Sequence, residues 1–175
     1  MKIYLVRHGQ CDSNVIGRYN LIDEDIDETG IKQAEDLREK IKDINYDIVI
    51  SSPLVRAFHT ADIINAKNKD IITDERLAER NPGSLEGKSI NITDREEFWN
   101  YYTKVKYGTE ERIPDLCNRV KDFLDELKTK DYKSVLIVAH SGVSKAFYVY
   151  FNGIPEDGKM LNLGLKNTEM KEYEL

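Results

Sequence analysis

The stretch Ile3-Tyr4-Leu5-Val6-Arg7-His8-Gly9-Gln10 passes without a break from an apolar run to an arginine, a histidine and a glycine. A run this short, apolar at every position, reads as a strand buried on both faces, the kind that parallel sheets contain. In an open α/β sheet, ligands bind beyond the carboxyl ends of the strands. Arg7 offers a planar fork of donors suited to phosphate or carboxylate. His8 can serve as nucleophile, proton carrier or metal ligand. Gly9 is expected to let the backbone approach a bound group.

Two later apolar runs end in similar chemistry. Ile48-Val49-Ile50 leads into Ser51-Ser52-Pro53 with Arg56 just beyond, and Val135-Leu136-Ile137-Val138-Ala139 leads into His140-Ser141-Gly142. Helical spacing fills the intervals. Asp27 is a suitable N-cap for a helix running to about Asp43, with Ile31, Ala34, Leu37, Ile41 and Ile44 on its buried stripe. Pro53 opens a second helix, whose stripe Leu54, Ala57, Phe58, Ala61 and Ile64 places Arg56 on another face of the first turn. Leu116, Val120, Phe123, Leu124 and Leu127 predict a third helix, and Val143 to Phe151 a fourth.

The remaining segments read as follows. Ile71-Ile72 predicts a short strand, and the aromatic stretch from Asp94 to Tyr107 a helix. Leu161, Leu163 and Leu165 alternate with Asn162, Gly164 and Lys166, which predicts a closing strand antiparallel to a last one near Glu169–Tyr173. Strands alternating with helices predict an α/β fold: a three-layer α/β/α sandwich on a mostly parallel central sheet, one domain over residues 1–175. Arg7, His8, Arg56 and His140 then meet at one sheet edge, with Arg56 at a helix N-terminus that favours an anion.

Composition narrows the partners. A formal charge of −6 and a pI near 5.2 argue against nucleic acid and against a polybasic membrane surface, so an anion site must be a local basic pocket. No apolar run reaches transmembrane length, and the N-terminal residues carry no signal-peptide pattern. Cys11 and Cys117 form no CxxC pair, which makes a reducing cytoplasm the expected location. With three histidines in all, no metal cluster is expected.

Two arginines, two histidines and a helix N-terminus around one point describe a site for a dianionic tetrahedral group. Phosphoryl transfer needs charge stabilisation on the equatorial oxygens, an in-line nucleophile and an acid for the leaving oxygen. A neutral histidine can attack phosphorus while arginines hold the oxygens. For the acid, Glu79 is the first candidate, in a glycine-containing loop after a strand, and Glu86 competes with it.

At five places in order the chain resembles the histidine phosphatase superfamily, the phosphoglycerate mutase-like clan. These are Leu5-Val6-Arg7-His8-Gly9 with Asn14, Ile26 to Ala34, Ser51 to Ala61 around Arg56, Leu77 to Gly87 around Glu79, and Val138-Ala139-His140-Ser141-Gly142. The resemblance implies a phosphoglycerate mutase-like fold. It implies that His8 becomes phosphorylated, that Arg7, Arg56, His140 and Ser141 hold the phosphoryl group, and that Asn14 orients it. Glu79 would protonate the leaving alcohol and then activate water, with no metal or organic cofactor.

Several positions depart from the family pattern. Cys11 stands where a hydroxyl residue is usual, and the loop from Tyr19 to Asp25 is acidic and lacks the expected glycine. Pro82 stands where mutases carry tyrosine, and no adjacent arginine pair follows Glu79. The expected activity is therefore a cytoplasmic, cofactor-independent phosphomonoesterase working through a phosphohistidine. Its substrate would be a small phosphorylated metabolite or a phosphoprotein, and its state a monomer or homodimer. Residues 88–112 are a candidate lid, with Phe98, Trp99, Tyr101 and Tyr102 either in the core or on the lid. One rival is a phosphoglycerate mutase, which needs extra basic residues that this chain is expected to lack. The other is a non-catalytic phospho-ligand or protein-binding module, which needs neither nucleophile nor acid. His59 is expected to be structural and Cys117 to pack.

Overall fold

The two long apolar runs lie side by side. In the computed structural model, which describes all 175 residues, β1 (Lys2–Arg7) pairs in parallel with β4 (Ser134–Ala139), and Arg7 stands opposite Ala139. That register sends His8 and His140 out of the sheet at the same level, and the His8 N–H donates to the Ala139 carbonyl at 3.0 Å. On the other side of β4 lies β2 (Ile48–Ser51), followed by β3 (Ile71–Thr73). The strand order is β3-β2-β4-β1-β5, with β5 (Met170–Glu174) antiparallel on the outer edge of β1.

Alternation along the strands divides the core in two. Ile3, Leu5, Val135 and Ile137 face α5 (Ile113–Leu127) and α6 (Ser141–Asn152), while Tyr4, Val6, Leu136 and Val138 face α2 (Glu28–Ile41) and α3 (Val55–Ile64). Each such side chain contributes about 1.5–3 kcal/mol on burial, which holds both helical layers to the sheet. The mostly parallel three-layer expectation is met. No helix is long and apolar enough to cross a membrane.

Local chemistry explains most element ends. Asp27 accepts the Gly30 N–H at 2.7 Å and starts α2 as its N-cap. A single-turn helix, α4 (Arg95–Phe98), is capped by Asp94, which accepts the N–H groups of Glu96 and Glu97. This one turn is all that forms of the helix expected over Asp94–Tyr107. Phe98 and Trp99 turn into the core and end it, while Tyr102 stays exposed.

Other expectations need correction. Leu161–Leu163 is a 3₁₀ turn, not a strand, and β5 pairs with β1, whose edge N–H and C=O groups would otherwise lie open. Helix α3 begins at Val55, two residues after Pro53, and its buried face includes Arg56 and Thr60 while Phe58 is exposed. A short helix, α1 (Asp12–Ile16), lies between β1 and α2.

Gly9 has a different role from the one expected. A Cβ on Gly9 would lie 2.6 Å from the Gly30 carbonyl oxygen, and one on Gly30 would lie 2.3 Å from that of Gln10. The two glycines let the end of β1 press directly on the first turn of α2, so Gly9 packs against protein and not against a ligand. Gly30→Ala is therefore expected to lower the unfolding free energy by about 1–3 kcal/mol in a denaturant titration, the usual penalty of overpacking. An unchanged midpoint would show that this contact does not constrain the loop.

Candidate active site

His8 and His140 leave adjacent strands with ring centroids 5.0 Å apart. His8 Nδ1 lies 2.7 Å from the Gly9 carbonyl, which can only accept, so Nδ1 carries the proton and Nε2 keeps its lone pair. Ser52 orients the second ring. Its hydroxyl accepts the Leu54 N–H at 3.2 Å and lies 2.7 Å from His140 Nε2. His140 Nδ1 is buried without a partner. Burial, reinforced by Arg7 and Arg56, holds the His8 pKa well below the ordinary histidine range. Burial, then Arg56 and His8, does the same for His140. Both rings are thus neutral near pH 7.

The two arginines are anchored by backbone alone. Arg7 Nη1 donates to the Leu165 carbonyl at 3.0 Å and Arg56 Nη1 to that of Leu21 at 2.9 Å. Neither enters an ion pair, and the Nε of each is buried without a partner. Burial pulls both guanidinium pKa values down. Thr60 ties Arg56 to the strand end, accepting the Gly9 N–H at 3.0 Å and donating to the Arg56 carbonyl at 2.7 Å. The acidic loop before α2 serves the same construction. Glu24 accepts the Ser13 N–H and an Asn20 amide proton, which orders the segment that holds Leu21 over Arg56.

Glu79 and Glu86 part company. Glu79 sits at the start of α6, where its Oε1 accepts the N–H groups of Gly142 at 3.0 Å and Arg80 at 2.8 Å. A Cβ on Gly142 would lie 2.2 Å from that oxygen, so only glycine leaves the seat open. Glu86 is exposed at the rim and accepts the Ile22 N–H. Asn14 Oδ1 accepts the Cys11 N–H and an Asn167 amide proton. Ser141 Oγ accepts from Lys145 Nζ at 3.0 Å. Cys11 is fully buried, does not line the cavity, and burial pushes its thiol up to about 12, so no thiolate replaces the missing hydroxyl.

Arg7, Asn14, Arg56, Glu79 and Ser141 open onto one cavity of about 480 Å³. Its wall also contains Arg18, Arg95, Lys145, Trp99 and Asn167. Extra basic residues were expected to be lacking. They are present because Arg18, Arg95 and Lys145 arrive from three separate segments, which no local motif displays. Ser52 was within reach of sequence reasoning as the residue that follows β2. Lys145 carried a faint signal as one cation inside an apolar helix, and Asn167 carried none. His59 pairs with Asp25 at the surface, and Cys117 is buried in α5. No three His, Cys, Asp or Glu side chains are grouped to hold a metal ion.

Comparison with known proteins agrees with this geometry. A model of the histidine phosphatase superfamily (branch 1) matches residues 3–175. Phosphoserine phosphatase 1 of Hydrogenobacter thermophilus is 32% identical, over 96% of this chain and 83% of its own length. A 2,3-bisphosphoglycerate-dependent phosphoglycerate mutase of Thermoplasma acidophilum is 34% identical, over 97% of this chain and 86% of its own. The crystal structure of the alpha-ribazole phosphatase of Shigella flexneri has a TM-score of 0.84 at 26% identity, covering 100% of this chain and 91% of that one.

A buried and a partly buried guanidinium group without a counter-charge destabilise the free protein and favour an anion. Arg56→Met should accordingly unfold at the same or a higher denaturant concentration than the wild type when no ligand is present. Inorganic phosphate should raise the wild-type Tm and leave that of the variant unchanged. A wild-type Tm indifferent to phosphate would contradict the site as described.

Proposed function

The chain belongs to the histidine phosphatase superfamily and is a phosphatase of it, and we propose that it hydrolyses small phosphate monoesters through a phosphohistidine at His8. The observation that carries this reading is the state of His8: neutral, its Nδ1 fixed on Gly9, and its Nε2 lone pair free beside two unpaired arginines. In the first step Nε2 attacks phosphorus as the phosphorus–oxygen bond to the alcohol breaks, and a protonated Glu79 gives its proton to the leaving oxygen. In the second, the Glu79 carboxylate takes a proton from water as the water oxygen attacks phosphorus. The phosphorus–nitrogen bond breaks, its electron pair returns to Nε2, and inorganic phosphate leaves.

Arg7, Arg56 and the N–H of His140 Nδ1 are assigned to the equatorial oxygens, where charge grows in the transition state. Asn14, with Asn167 behind it, is assigned to orient the group, and Ser141 lines the same cavity. Segment 88–112, through Ile90, Arg95, Phe98 and Trp99, would cover the alcohol part of the ester. The relatives named for phosphoserine and phosphoglycerate support a small metabolite over a phosphoprotein. Buried free thiols at Cys11 and Cys117 suit a reducing compartment.

A leaving-group series tests the assignment. Glu79→Gln should slow hydrolysis of alkyl phosphates by about two to four powers of ten, the usual value of general-acid catalysis. Esters of acidic phenols should retain a rapid burst of phenol release followed by slow dephosphorylation. Wild-type turnover should release inorganic phosphate without any bisphosphoglycerate primer. Dependence on such a primer would favour the mutase reading, and a harmless Glu79→Gln beside a crippling Glu86→Gln would move the acid to the rim.

A further inference from the structure

Lys145 is a cation of the cavity wall that lies within the apolar packing of α6. It is 3% exposed, its Nζ donates to Ser141 Oγ at 3.0 Å, and it stands 4.6 Å from the centre of the Trp99 ring. It enters none of the ion pairs of the molecule. An ammonium group has three donors, and a single hydroxyl leaves most of that capacity unmet. A buried cation without a fixed partner is expensive, yet the backbone is shaped to keep it. A Cβ on Gly164 would lie 2.3 Å from Nζ and 2.4 Å from Ser141 Oγ, so glycine there leaves room for both groups.

The position of Lys145 relates it to the alcohol part of a substrate. Trp99, on which it rests, also packs against Gly142, the seat of Glu79, where a Cβ would lie 3.1 Å from the indole ring. Glu79 is the carboxylate whose field most offsets the burial of Lys145. The proposed proton donor to the leaving oxygen and this ammonium therefore sit on the same side of the cavity. The Trp99 indole N–H is also buried without a partner.

We propose that Lys145 is a specificity-determining residue that binds a carboxylate carried by the alcohol part of the substrate, so that the enzyme prefers phosphate esters of short hydroxy acids. This rests on the phosphatase reading for the placement of the phosphoryl group at Arg7 and Arg56, with Lys145 on the side of Glu79 and Trp99. A lone ammonium beside one hydroxyl matches a single charge, whereas a second phosphoryl group would call for a guanidinium fork. Burial draws the Lys145 pKa down to about 8, in keeping with a cation whose counter-charge arrives with the ligand.

Non-hydrolysable phosphonates separate this proposal from the chemistry. Calorimetric titration would compare 4-phosphonobutyrate with butylphosphonate, which lacks the carboxylate, on the wild type and on Lys145→Met. The wild type should bind the carboxylated compound more tightly, and the variant should lose about tenfold to a hundredfold of that preference while binding butylphosphonate unchanged. Gly164→Ala, which displaces Nζ without removing it, should erode the same preference and provides the test if Lys145→Met does not fold. Equal losses for both compounds would make Lys145 a structural residue, and an unchanged preference would exclude the contact. Tighter binding of propane-1,3-diphosphonate, lost equally in the variant, would replace the carboxylate by a second phosphoryl group. Each of these outcomes overturns the proposal. Failure of the phosphatase reading would appear separately, as absent turnover with the binding preference intact.

Discussion

Two guanidinium groups at the carboxyl edge of the sheet, Arg56 buried and Arg7 partly so, lack a carboxylate partner and set the terms for the surrounding structure. Arg7 and Arg56 each spend one arm on a backbone carbonyl and leave other donors unmet. In a chain of net charge −6 an acidic neighbour would be easy to supply, yet none closes on either group. The same field, added to burial, keeps His8 and His140 neutral, and only a neutral imidazole has a lone pair to offer phosphorus. In the proposed reaction, charge left unsatisfied in the free protein would be the source of both anion affinity and nucleophile readiness.

Backbone close to the site holds this charge in place. The parallel register of β1 and β4 delivers the two histidines side by side, and Ser52, just past β2, holds the second ring at Nε2. Thr60 couples the turn of Arg56 to the strand end of His8. Glycines at positions 9, 30, 142 and 164 remove the Cβ atoms that would push loop, carboxylate or ammonium out of position. None of them has a positive φ, so their contribution is space and not backbone freedom.

The parts legible in the sequence were those written locally. Apolar runs, helical stripes and the residues that follow strand ends are short-range patterns, so the layers and the meeting of Arg7, His8, Arg56 and His140 could be anticipated. Glu79 over Glu86 rested on spacing, and the structure now separates them through the N-terminus of α6. The closing strand was misread because alternation of Leu161, Leu163 and Leu165 fits a strand as well as an irregular segment, and only the open edge of β1 decides which segment pairs. Asn167, Arg18 and Arg95 reach the cavity through tertiary folding, with no local pattern to announce them. Phe58 and Arg56 exchanged their expected places because the interior of α3 faces a polar pocket as well as a core.

The central claim is that His8 carries the phosphoryl group between the two halves of the reaction. Its most direct test is a rapid alkaline quench during turnover of a radiolabelled phosphate ester, since phosphohistidine survives alkali and is lost in acid. The account predicts alkali-stable, acid-labile label on the wild type, recovered on the peptide that contains His8, and none on a His8→Ala protein of unchanged fold. Equal labelling of His8→Ala, or turnover of the wild type without any such label, would contradict it.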